Sequence, residues 1–206
     1  MEYLSWGRNP VVSQFSYVPF WLPTNLNNFR NDFSILPHGL GRSYGDCALN
    51  DKNGIVVTQN LTRFISFNEE TGVLRCESGV SLGDILKFAV PKGWFLPVTP
   101  GTKFVSVGGA IANDVHGKNH HRAGCFGNHV IRLLLLRSDG IKECSLTENE
   151  DLFRATIGGI GLTGLILNAD IQLKKIESSY IDVESIQFSG LDEYRNLSNE
   201  SDQSFD

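Results

Sequence analysis

Between Gly101 and Gly127 the chain reads GTKFVSVGGAIANDVHGKNHHRAGCFG, and glycine at that density leaves little room for a long regular helix or strand. Glycine reaches backbone conformations closed to other residues and lets a bound molecule approach the main chain closely. The expectation is a largely coil-forming stretch wrapped around a ligand. A second such stretch, Gly39-Leu-Gly41-Arg-Ser-Tyr-Gly45-Asp46, comes earlier, with ordinary strand and helix patterns between the two. Two glycine loops held apart in this way are better explained by one large anionic cofactor than by two unrelated sites. In the run Gly108 to Val115, small residues and successive backbone N–H groups can form the kind of concavity that holds a pyrophosphate. Gly39 to Gly45 offers a similar cradle, with the Ser43 hydroxyl and the Tyr44 ring beside it.

A chain of 206 residues buries roughly 70% of its unfolded surface, enough for one sizeable domain or two small lobes. The net charge of −5 argues against a nucleic-acid partner, which calls for clustered Lys and Arg. Lys103, Lys118 and Arg122 are the local exceptions, and they lie where positive charge could offset a phosphate. No apolar run approaches the roughly 20 residues of a membrane span. Met1-Glu2-Tyr3-Leu4 has neither the positive start nor the apolar core of a secretory signal. The expected location is cytoplasmic, with at most peripheral contact at the inner membrane. Cys47, Cys76, Cys125 and Cys144 form no C-x-x-C pair and read as reduced thiols, Cys76 and Cys144 within the core.

Periodicity supplies the regular elements. Strands are expected at Phe33 to Leu36, Ile55 to Thr58 and Phe64 to Phe67; the last turns through Asn68 to Gly72 into an antiparallel partner, Val73 to Glu77. Ser81 and Asp84 resemble a capping box opening a helix over 82–90, closed by Pro91, and Thr147 and Glu150 resemble another. Val130 to Arg137 and Ile141 to Leu146 flank a Ser-Asp-Gly turn, and Leu165 to Leu173 alternate with the period of a half-buried strand. Tyr180 to Phe188 alternates like a strand and Leu191 to Leu197 suits a short helix, with nothing after them to cover either. The fold class is α+β with mixed sheets.

Gly159-Ile-Gly161-Leu-Thr-Gly164 matches G-x-G-x-x-G, but a dinucleotide fingerprint needs a strand before it and a helix after. Here the order is helix, then strand, so the glycines mark a tight turn. His116, His120, His121, Cys125 and His129 have spacings that suggest zinc and, with it, a zinc-dependent hydrolase. The glycines among them give little of the rigidity such a site needs, and no metal is expected.

Taken together, Gly39 to Asp46, Pro100-Gly-Thr102, Val107-Gly-Gly-Ala-Ile-Ala112, His116-Gly-Lys-Asn-His-His121 and Gly158 to Gly164 resemble FAD-linked oxidases of the vanillyl-alcohol-oxidase type, with the PCMH-type FAD-binding domain. The resemblance runs from about Ile35 to Ile176. It implies a two-lobed FAD-binding domain over residues 1–176, the smaller lobe about 1–60 and the larger about 61–176, followed at 177–206 by the start of a truncated substrate domain. It implies that Gly39, Leu40, Gly41, Arg42, Ser43 and Tyr44 line the cofactor, together with Gly101, Thr102, Ser106, Gly108, Gly109, Asn113, His116, Gly117 and Ile166. His116 and Lys118 would lie nearest the reactive side of the flavin. Many relatives carry a flavin-linking histidine in the first loop where this chain has Arg42, so a non-covalent FAD is expected. His38 stands where arginine is frequent, and the stretch between Trp6-Gly-Arg8 and the first loop is shorter than usual. The implied activity is oxidation of a sugar alcohol, small or lipid-linked and of polyprenylphosphoryl-ribose type, with a short-chain reductase as partner in an epimerase system. The alternative from the same residues is an inactive flavin-binding module needing a partner chain.

Overall fold

The computed structural model describes residues 3–25 and 34–202. The chain divides into two units at Ile176/Glu177.

The first unit holds a small parallel sheet and a larger antiparallel one. Strands β1 (Phe15–Tyr17), β2 (Ile35–His38) and β3 (Gly54–Val57) form the parallel sheet in the order β1-β3-β2. Of the expected first strand, Phe33 lies outside the described residues. In β3, Ile55, Val56 and Val57 are wholly buried, because the strand is covered on both faces. Val56 packs with Leu136, Leu165 and Leu167 of the larger sheet, whereas Ile55 and Val57 pack with Leu36 and Tyr3. The period of two in a strand thus puts one side chain into the joint between sheets and its neighbours into the cluster with Leu36.

The larger sheet has the order β4-β5-β9-β7-β8, from β4 (Phe64–Phe67), β5 (Val73–Glu77), β7 (Val130–Arg137), β8 (Gly140–Ser145) and β9 (Leu165–Gln172). Every pairing in it is antiparallel, so parallel and antiparallel pairing are mixed between sheets and not within one. The expected hairpin forms: Asn68 Oδ1 accepts from the amides of Glu70 and Thr71, turning β4 into β5. A further pair, β6 (Trp94–Phe95) with β10 (Lys174–Lys175), was not anticipated from periodicity.

One face of the larger sheet carries α1 (Leu82–Ala89), α2 (Val107–Ala112) and α4 (Glu150–Thr156), whose Leu82, Ile85, Ile111 and Phe153 join the main core with Leu74, Leu133 and Ile171. Ser81 caps α1, accepting from the Asp84 amide at 3.0 Å, and its hydroxyl donates to the Asp84 carboxylate at 2.6 Å. Together with Lys87, this bond holds the Asp84 carboxyl below its ordinary range despite some desolvation. The second expected capping box does not form. Ser145 accepts from the amides of Thr147 and Glu148, and α4 starts instead from Asn149 in the left-handed region at φ 49°. Asparagine tolerates that conformation better than most residues.

Strand β9 departs from its expected half-burial: all but its last residue is buried. A register shift opposite Leu134 and Leu135 inserts one extra residue in β9. Leu165 and Leu167 therefore face the joint with Val56, while Ile166, Ala169 and Ile171 enter the main core. Asp170 lies directly across from Arg75 and opposite Arg132 in the two flanking strands. Its carboxylate accepts from Arg75 at 2.7 and 2.8 Å and from Arg132 at 3.3 Å, and Arg132 also pairs with Glu143 at 2.8 Å. A charged rung thus crosses four strands. Burial pushes the Asp170 carboxyl up, but the two guanidiniums prevail and hold it below the usual range. Beside it, burial first and the carboxylates of Asp170 and Glu77 second push the Cys76 thiol up to about 12, which keeps it un-ionised.

In the second unit Tyr180 to Phe188 forms no strand; these residues are exposed and pair with no neighbouring strand. Helix α5 (Leu191–Ser201) follows, with the Glu193 carboxylate accepting from both the amide and the hydroxyl of Ser189.

Asp170→Asn leaves two guanidiniums facing a neutral amide. The expected cost is about 2 kcal/mol, below the ~3–5 of fully buried pairs because the Arg75 side chain is 38% exposed. Thermal unfolding should move down by roughly 4–8 °C. A carboxyl with a depressed folded pKa stabilises fully above its unfolded value near about 3.9 and loses that contribution as pH falls through the lower folded value. The variant should lack this part of the acid-side loss in a stability–pH profile.

Candidate functional site

The first glycine loop joins β2 to the parallel β3. At Gly41 the backbone is left-handed at φ 66°, and a Cβ there would meet the Leu4 carbonyl at 2.5 Å, so only glycine fits. The loop spends its carbonyls on the protein: Gly39 O accepts from Gln59 Nε2 at 3.3 Å, Ser43 O from the Trp6 amide at 3.0 Å, and Asp46 O from the Leu49 amide at 2.8 Å. Its amides are not spent. Among the described residues, no main-chain N–H from Leu40 to Gly45 donates to another protein atom.

His38 closes the base of this loop. It is buried, edge-on to the Tyr3 ring at 5.7 Å, with Nδ1 2.8 Å from the Ala48 carbonyl. Burial lowers its pKa, and the bond to Ala48 only partly opposes that. The ring is therefore neutral near pH 7, and the carbonyl requires the proton on Nδ1.

The second glycine segment contains more regular structure than its composition suggested, including α2, α3 (His120–Ala123) and a 3-10 turn at Phe126–His129. Ser106 caps α2 by accepting from the Gly109 amide at 3.3 Å, while the amides of Val107 and Gly108 donate to Val80 O and Ser78 O. The expected row of free amides at Gly108 and beyond is thus largely consumed in holding α2, and the unspent donors lie in the first loop. The two segments touch: a Cβ on Gly39 would stand 2.4 Å from Ser106 Oγ.

A cavity of about 670 Å³ lies between them, within the size range of small-molecule sites. Its third wall is the turn Ile160 to Leu165, where the amide of Ile160 donates to Ala112 O. All the candidate cofactor residues line this cavity except Thr102 and Gly117, and Lys118 is likewise absent from the lining. Thr102 Oγ1 turns away to accept from the Phe104 amide at 3.2 Å. Gly117 is buried against the Thr99 backbone, and Lys118 is exposed. His116 lines the cavity, exposed, with its ring 5.6 Å from that of His120. The other histidines are occupied locally, His120 Nδ1 with Gly117 O and His129 Nε2 with Ala123 O. Among the described residues no three His, Cys, Asp or Glu side chains gather as metal ligands.

Sequence reasoning missed Thr58 and Ser78 in the lining, which also includes Cys47 of the first glycine loop. Ser78 follows a strand without any local signature. Its backbone is pinned by Leu167 O and the Gly108 amide, and its hydroxyl is buried without a hydrogen-bond partner in the protein. An orphaned hydroxyl and a row of unspent amides around one cavity fit a ligand rich in acceptors, such as the diphosphate of a dinucleotide.

Residues 29–145 match the family described as FAD binding domain. The chain is 44% identical to decaprenylphosphoryl-beta-D-ribose oxidase of Mycolicibacterium smegmatis, over 77% of this chain and 35% of that protein. It is 41% identical to an uncharacterized protein in the mprA 5′ region of Streptomyces coelicolor, over 55% of this chain and 31% of that one. With Delta(24)-sterol reductase of Rattus norvegicus it shares 30% identity over 55% of this chain and 22% of the reductase. The chain thus spans about a third or less of the length of these relatives.

Two outcomes test the site. A Cβ on Gly101 would meet no protein atom within 4 Å, so Gly101→Ala should leave the ligand-free melting temperature unchanged and weaken FAD binding on the order of tenfold, about 1.4 kcal/mol. His38, neutral in the fold, stabilises fully above its unfolded pKa near about 6.5, and the contribution is lost as pH falls from there towards its lower folded value. His38→Asn, whose amide can keep the bond to Ala48 O, should flatten that part of the stability profile.

Proposed function

The chain belongs to the FAD binding domain family, and we propose that it is the cofactor-holding part of an FAD-dependent oxidoreductase acting on a CH–OH group of a sugar. The observation that carries this reading is the meeting of two glycine-rich segments around one cavity whose first loop offers unspent amides from Leu40 to Gly45. FAD bound there supplies a two-electron acceptor for the hydride of the oxidised carbon.

In this reading the first loop holds the diphosphate through its main chain, and Ser106, with the glycines of α2, lets the opposite wall come close. Arg42 stands in the first loop where the family resemblance would put a flavin-linking histidine in many relatives. Its guanidinium bonds to Leu40 O and lies 5.5 Å from the centre of the Trp6 ring. A guanidinium stays protonated and is no nucleophile, so the flavin is held without a covalent bond. His116, exposed in the cavity lining, would position the substrate hydroxyl or take its proton as the carbon is oxidised, and Lys118, two residues on, would orient the substrate from solvent. The similarity to decaprenylphosphoryl-beta-D-ribose oxidase favours a polyprenylphosphoryl-ribose substrate; the family resemblance of the glycine segments would add peripheral contact with a membrane and a short-chain reductase that consumes the ketone product. Residues 1–176 would be the FAD-binding domain and 177–206 the start of a substrate domain.

The purified chain mixed with FAD should take up flavin in a one-to-one ratio, visible in the flavin absorbance bands. Denaturation and filtration should then leave all the chromophore in the filtrate. Colour that stays with the polypeptide would refute the non-covalent assignment, and no uptake at all would refute the cofactor reading for this chain.

A further inference from the structure

The segment from Trp6 to Trp21, WGRNPVVSQFSYVPFW, contains no Asp or Glu, although the protein carries 23 acidic residues and a net charge of −5. It also turns large apolar side chains outward: Trp6 is 56% exposed, Val11 69%, Phe20 68% and Trp21 73%. A soluble surface rarely concentrates its largest aromatics without use for them. We infer that this segment is a bilayer-contacting surface, with Phe20 and Trp21 entering the headgroup region, an inference that rests on the lipid-linked substrate proposed above.

Three observations support a lipid surface over other occupants. Tryptophan and tyrosine are the residues enriched at membrane–water interfaces, and an apolar stretch there must carry little negative charge if anionic headgroups are to approach. The segment meets both conditions. It is also firmly tied to the folded body. Arg63 donates to Phe20 O at 2.8 Å and lies 4.1 Å from the centre of the Trp21 ring, and its own charge is matched by the buried Glu77 at 3.1 Å. The aromatic pair is thus presented on a fixed support, which lowers the ordering cost of insertion. Finally, the segment continues directly to the cofactor loop, for the Trp6 amide donates to Ser43 O. A surface that docks on a bilayer at this place brings the cavity to the layer where a lipid-linked sugar would be found. No helix among the described residues is long and apolar enough to cross a membrane.

The test is co-sedimentation of the full chain with vesicles of phosphatidylcholine and phosphatidylglycerol at 7:3, together with tryptophan emission. Binding with a blue-shifted emission is expected, and Phe20→Ser with Trp21→Ser should lower the partition coefficient about tenfold or more, with little change in melting temperature. Retaining Trp6 in that variant leaves a reporter of the same segment. Failure of the wild-type chain to sediment, or equal binding by the double variant, overturns the inference. So does self-association of the wild-type chain in vesicle-free buffer that the double variant abolishes, because the surface would then join two copies. FAD uptake is read separately by absorbance, so loss of vesicle binding with retained flavin refutes only the bilayer contact, and the reverse refutes only the cofactor reading.

Discussion

The double-sided burial of β3 is the constraint on which the rest depends. Val56 closes the joint with Leu136, Leu165 and Leu167, while Ile55 and Val57 on its other face anchor the small parallel sheet through Leu36. Three consecutive β-branched residues suit a strand covered on both sides. The glycine loop departs from β2 and returns through β3, so its position over the larger sheet is set by how Val56 seats in that joint. The bulge in β9 serves the same end, turning Leu165 and Leu167 towards β3 without taking Ala169 and Ile171 out of the main core.

Much of this architecture was legible in the residues, and the reasons differ from element to element. The β4–β5 hairpin and α1 announce themselves through local chemistry: a turn built on Asn68 and a helix capped by Ser81. The same logic failed at Thr147, because Ser145 captured the local amides first and Asn149 took the left-handed turn. Strand β1 and the β6–β10 pair are short and owe their existence to distant partners, a relation no window of sequence contains. The expected strand at Tyr180 to Phe188 shows the converse, since alternation without a neighbouring strand does not make a ladder.

The site was legible as composition and less so as mechanism. Glycine density marked two segments, and both line one cavity. It did not reveal which of them keeps its donors, because a glycine inside α2 and a glycine in an open loop look alike in sequence. Val107 and Gly108 turn out to donate to Val80 and Ser78, and this bonding locks helix, strand end and cavity wall together. Ser78 was invisible for a related reason: a serine after a strand is commonplace until its hydroxyl is found without a partner.

The first loop has a property that side-chain sites lack. Its attraction for an anion comes from peptide dipoles whose carbonyl ends are tethered by Gln59, Arg42 and Trp6, and a peptide dipole neither gains nor loses a proton across the range in which proteins stay folded. Whatever polyanion settles against Leu40 to Gly45 is therefore gripped with equal strength in mildly acidic and mildly alkaline surroundings. Acidification reaches the base of the loop through the imidazole of His38, which burial keeps neutral while its bond to Ala48 O partly opposes that.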